Sequence, residues 1–124
     1  METKFSLKKR FKSFSYAFKG MQLLIKYEHN AWIHTLATLV VIAGGFFFGI
    51  TKTEWIVCIL CIGCVFAAEA FNTAIEYTAN YLTKEHVREI GIIKDIAAGG
   101  VLFVAIATFI IGLLIFAPYV IAMF

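Results

Sequence analysis

Residues 96–124 read IAAGGVLFVAIATFIIGLLIFAPYVIAMF, a run without one formally charged side chain. A helix needs about 20 mainly apolar residues to cross the hydrocarbon core of a bilayer, and this stretch exceeds that length. Two earlier stretches meet the same requirement. Ala31 to Ile50 carries no charge, and Trp55 runs uncharged to Ala68 and stays mostly apolar to Ile75. Only the second of the three contains acidic side chains. None shows the period-two alternation of a membrane β-strand, and a bilayer admits only helices or closed barrels. The sequence therefore predicts an all-α membrane protein. Composition agrees, since 124 residues that are 61% hydrophobic and 15% charged lie outside the range of soluble domains.

Charge sets the expected orientation. Lys4, Lys8, Lys9, Arg10, Lys12, Lys19 and Lys26 crowd the first part of the chain against Glu2 and Glu28, and Lys84, Arg88 and Lys94 follow the second span. The other side has Lys52 alone. By the positive-inside rule the N-terminus and the loop from about Tyr81 to Asp95 face the cytoplasm, and the Thr51 to Glu54 turn and the C-terminus lie outside. The first apolar run begins too late for a cleavable signal, so the N-terminus is expected to be retained.

Before the first span, Leu7, Phe11, Phe14, Phe18, Met21 and Ile25 recur at steps of four and three, which puts them on one helix face with lysines on the other. Such a helix lies in the headgroup layer, held by apolar burial and by anionic lipids; a plain anchor and a lid over a site fit the pattern equally. No linker or internal repeat divides the chain. One domain over residues 1–124 is expected, with a surface helix at about 4–28 and membrane-spanning helices at 31–50, 55–80 and 95–118. Three short helices bury little area against one another, so self-association is expected. Cys58, Cys61 and Cys64 form a ridge along the second span, read as packing rather than as a metal motif.

The chemistry concentrates on that second span. Glu69 and Glu76 differ by about 20 degrees around a helix after two turns, and Asn72 lies between them. Glu69 falls inside the hydrocarbon, where an ionisable group costs at least about 2.5 to 3.5 kcal/mol and so faces protein or water and serves function. The bland alternative is a carboxyl group hydrogen-bonded to Asn72 or a neighbouring helix that only stabilises assembly. Lys94 and Asp95 stand at the start of the third span, before the small residues Ala97, Ala98, Gly99 and Gly100, which allow close helix approach. A phosphate contact and ordinary punctuation of topology both fit this pair.

The chain lacks a Walker-type Gly-x-x-x-x-Gly-Lys-Ser/Thr loop and any Gly-x-Gly-x-x-Gly turn, so a nucleotide would rest on side chains and metal rather than on a backbone cradle. Magnesium takes hard oxygen ligands, usually one or two carboxylates plus substrate phosphates, which fits Glu76 with Glu28.

Glu69-Ala-Phe-Asn72-Thr-Ala-Ile-Glu76, followed by Lys94-Asp95-Ile-Ala-Ala-Gly99, resembles the prokaryotic diacylglycerol kinase family, which includes the undecaprenol kinases. The resemblance covers nearly the whole chain, from Tyr16 and Lys19-Gly20 through Glu28-His-Asn30 and Ile33-His34 to the last span. It implies a lipid kinase of the bacterial cytoplasmic (inner) membrane that phosphorylates the hydroxyl of undecaprenol or diacylglycerol. The cofactor it implies is Mg2+, with ATP as co-substrate. Its partners would be the bilayer, the lipid alcohol and two further copies in a homotrimer, with no nucleic acid. Glu69 matches the catalytic acid-base position and Asn72 a supporting one. Glu28 and Glu76 match the metal-binding carboxylates, which also contact ATP, and Tyr16, Glu85, Lys94 and Asp95 match positions lining the nucleotide. The chain departs from the family at Asn80, where many relatives carry aspartate, and at Glu85-His86-Val87, where Glu-Tyr-His is common. Within the kinases, Glu-x-Asn-x-x-Ile-His and Lys-Asp-Ile-Ala-Ala-Gly look more like the polyprenol branch.

A membrane-embedded glutamate is also compatible with a small ion-coupled transporter, or with a non-catalytic helical assembly. A transport site is expected near the bilayer midplane, whereas the polar groups here gather towards one face.

Overall fold

The computed structural model describes residues 4–124, which form four helices and, among the described residues, no strand. These are α1 Leu7–Tyr27, α2 His29–Phe48, α3 Lys52–Leu82 and α4 Arg88–Ala122. The last three are each long and apolar enough to cross a membrane. Glu2 lies outside the described residues.

Ser6 caps α1 by accepting a hydrogen bond from the Lys9 backbone N–H at 3.4 Å. Its apolar stripe is uncovered by the rest of the chain, with Phe11 73% and Phe14 64% exposed, as suits a helix that rests on lipid. Between α1 and α2 the helical path breaks at Glu28, whose backbone is extended (φ −104°, ψ 118°). That elbow turns the chain from the amphipathic helix into the first span.

The turn from α2 to α3 is tight. Gly49 ends α2 in the left-handed conformation (φ 62°, ψ 50°), which glycine adopts without the steric cost of a Cβ. Thr51 and Glu54 then form a reciprocal capping box that starts α3. Beside the turn, Ile50, Cys58 and Ile115 are buried together, flanked by Phe48, Trp55, Phe116 and Tyr119. Cys58 therefore serves packing, as expected of the cysteine ridge.

α3 and α4 pack along the greatest length, α2 packs on α3, and α1 makes lighter contacts with both α2 and α3. At 1.5 Å per residue, α3 is about 46 Å long and α4 about 52 Å, so both overrun a hydrocarbon core of about 30 Å. The chain exposes 9978 Å². A compact soluble monomer of its 13.9 kDa would expose about 6,700 Å². This open arrangement leaves most apolar side chains for lipid or for another copy of the chain to cover.

Candidate active site

α3 carries Glu69, Thr73, Glu76 and Asn80 at successive steps of four, three and four, so all four fall within about 60 degrees on one helix face. Each rung of this ladder meets a polar partner, and three of the partners come from other segments. His34 of α2 lies against Glu69, with Nε2 and Oε1 2.8 Å apart. Glu28, at the elbow, accepts a hydrogen bond through Oε2 from Thr73 Oγ1 at 3.1 Å. Asn72 Nδ2 donates a long hydrogen bond of 3.5 Å to Glu76 Oε1. Lys94 of α4 donates from Nζ to Asn80 Oδ1 at 2.6 Å.

Burial differs sharply along the ladder. Glu69 is 1% exposed, the most enclosed large side chain among the described residues, and Asn72 is also buried. Glu28, Thr73, Glu76 and Lys94 are half-buried. Removing a carboxylate from water costs several kcal/mol unless its oxygens are bonded, so Glu69 demands a partner, and His34 supplies one. If Glu69 is ionised, as a general base must be, its oxygens only accept, and Nε2 of His34 is then the donor of this bond. The His34 ring also meets Phe66 edge-on at 6.4 Å between centroids. Among the described residues, two buried side-chain atoms have no partner: Glu69 Oε2 and Asn72 Oδ1. Orphaned buried polar atoms are rare in folded proteins and mark places where a ligand or another chain is to be met.

The structure thus brings Glu28, Glu69, Asn72 and Glu76 together, with Lys94 engaged about 6 Å further along the helix than Glu76, at Asn80. Asp95 and Glu85 are exposed, and Tyr16 is 62% exposed on α1. In the loop after α3, the backbone N–H of Glu85 donates to Thr83 Oγ1 at 3.1 Å, which orders the turn.

His34 and Thr73 were not among the expected site residues. A histidine inside an apolar span is a signal of function in its own right. Thr73 occupies the rung that continues the spacing from Glu69.

Glu28 reaches α3 at Thr73 and Glu76 bonds Asn72, and no group of three or more His, Cys, Asp or Glu side chains converges among the described residues. Two carboxylates with the remaining positions left to water and phosphate would be a set of hard oxygen donors of the kind magnesium takes.

These features define a helical membrane protein with a carboxylate site built on one face of a spanning helix, polar partners reaching it from neighbouring segments. The chain belongs to the prokaryotic diacylglycerol kinase family, which matches residues 15–116. It is 39% identical to the undecaprenol kinase of Bacillus subtilis (strain 168) over 112 residues, 90% of this chain and 91% of that one. It is 33% identical to a diacylglycerol kinase of Synechocystis over 101 residues, 81% of this chain and 58% of that protein. The chain is accordingly a lipid kinase, and neither relative points to a transporter.

Proposed function

We propose that the chain transfers the γ-phosphoryl group of ATP to the hydroxyl of a membrane lipid alcohol, with undecaprenol preferred to diacylglycerol. The observation that carries this reading is Glu69, buried to 1% exposure on a membrane-spanning helix, with one oxygen held by His34 and the other unbonded. In the reaction, the lipid oxygen attacks the γ-phosphorus in line and its proton passes to the Glu69 carboxylate. The bond from the γ-phosphorus to the bridging oxygen breaks, and ADP leaves with that electron pair. Lys94 sits at the same end of α3 and offsets charge on the phosphate oxygens once it turns from Asn80. Glu28 and Glu76 are the side chains to hold Mg2+, whose role is to neutralise phosphate charge. Tyr16, Glu85 and Asp95 line the approach of the nucleotide.

The basic helix α1 and the 83–87 loop share the polar end of the molecule, which supports a cytoplasmic site in the bacterial inner membrane, with the N-terminus inside and the C-terminus outside. The site is completed in a homotrimer. The 9978 Å² surface and the orphaned Asn72 Oδ1 support an active unit in which a neighbouring copy closes the ladder. Residues 1–124 act as one membrane domain.

The preference for undecaprenol follows the relative that matches over nearly the full length of both chains. Competition of the two lipids for radiolabelled ATP, with the purified chain in vesicles, tests it. Label is expected mainly in undecaprenyl phosphate. Label mainly in phosphatidic acid overturns the preference, and label in neither lipid overturns the assignment.

A further inference from the structure

We infer that His34 is a positioning residue for phosphoryl transfer: by donating from Nε2 to Glu69 Oε1 it fixes the carboxylate so that Oε2 is the oxygen that takes the lipid proton. The inference rests on the reading of Glu69 given above and goes further, because it divides the two oxygens between two tasks. The torsion that turns a glutamate carboxylate is soft and roughly two-fold, so an unheld Glu69 would exchange its oxygens freely. The 2.8 Å bond to His34 removes that freedom. The histidine is itself held. Its ring edge meets Phe66, and its side chain is 20% exposed on a helix that the elbow at Glu28 ties to Thr73, one turn along from Glu69. Two links, Glu28 to Thr73 and His34 to Glu69, therefore set the register of α2 against α3 at the point where the chemistry occurs.

With Oε1 occupied, Oε2 is a buried acceptor without a donor among the described residues. The one donor the reaction brings to this depth is the lipid hydroxyl. A carboxylate that the chain leaves half satisfied in a low-dielectric setting is ready for a donor that arrives with substrate.

A structural link between α2 and α3 predicts a different response to mutation from that of a positioning residue, and three variants separate them. His34→Leu removes the donor, His34→Gln keeps an amide N–H at similar reach, and Glu69→Gln removes the base. Each is assayed in vesicles for kcat and for KM towards ATP, with values normalised to folded oligomer by size exclusion in detergent. The expected result is a fall in kcat of about 10- to 100-fold for His34→Leu with KM for ATP unchanged, the scale typical of a displaced catalytic group. His34→Gln should recover to within a few-fold of the parent, and Glu69→Gln should be inactive. If His34→Leu keeps the parental kcat while Glu69→Gln is inactive, the inference fails and the reading of Glu69 stands. Equal loss in His34→Leu and His34→Gln also overturns it, since the donor would then not be what matters. Normal turnover by Glu69→Gln removes the base itself and this inference with it.

Discussion

The two ends of α3 are built on opposite terms. At the end near the α2–α3 turn, polar groups meet partners in the same chain: Thr51 and Glu54 cap each other, and Tyr119 donates its hydroxyl to Glu54 across the sequence at 2.5 Å. Aromatic rings fill the space around them, with Phe48 against both Phe116 and Tyr119 and Phe46 against Trp55. At the other end the ladder from Glu69 to Asn80 gathers charged and polar side chains, yet leaves Glu69 Oε2 and Asn72 Oδ1 unbonded. A helix that closed both ends equally well would be a stable rod with nowhere to bind. The contrast teaches that the closed end fixes how α3 and α4 lie, while the open end keeps acceptors for what must come from outside the chain.

The sharpest challenge to that contrast falls on Lys94, which bonds to Asn80 here yet is assigned to phosphate. Lys94→Met keeps the stem and removes the charge, and kcat/KM for ATP should fall roughly 10- to 100-fold, as expected for loss of one bond to a charged group. A fall in thermal stability with unchanged ATP kinetics would place Lys94 with the structural end.

The closed end should answer in the opposite way. A Cβ on Gly45 would lie 2.5 Å from the tip of the Trp55 ring, so Gly45→Ala should cost about 1–3 kcal/mol by overpacking. Turnover per folded molecule should stay near the parent value, as followed by thermal unfolding in detergent beside the kinase assay. Loss of activity at full stability would show that the two ends are not separable.

Glu28→Gln and Glu76→Gln probe the intermediate rungs. Each should raise the magnesium concentration for half-maximal rate by roughly tenfold, the effect of about 1.4 kcal/mol, and a magnesium titration of both variants reads it directly. Unchanged metal dependence would return both carboxylates to the helix contacts with Thr73 and Asn72 alone. The smallest effect is expected of Tyr119→Phe. Removing one hydroxyl from Glu54, which still accepts from the Thr51 N–H at 2.9 Å, should cost about 0.5–1.5 kcal/mol and leave the kinase rate unchanged.

Much of the fold is legible in the sequence because hydropathy over a span is a local property. The uncharged run from Ile96 onwards needs no partner to be read, and the steps from Leu7 to Ile25 carry their own helical period. The polar stripe of the site is legible for a related reason: Glu69, Asn72 and Glu76 share one helix, and helical geometry fixes how they face. What is not legible is whatever depends on register between helices. His34 meets Glu69 across 35 positions and Tyr119 meets Glu54 across 65. Nothing in a single apolar run states how far it slides against its neighbour. Asn80 shows the same limit from another side. In the sequence it stands only as a departure from the family pattern, whereas in space it is the acceptor for Lys94 on the same face as the two glutamates.

The most direct test of the account is transfer of label from γ-labelled ATP to lipid extracted from vesicles, comparing the parent chain with Glu69→Gln at equal amounts of folded oligomer. The account predicts labelled lipid phosphate from the parent and a rate lower by at least about 100-fold from the variant, the scale of general-base catalysis, with the oligomer and its helix content unchanged. Comparable label from both would contradict it.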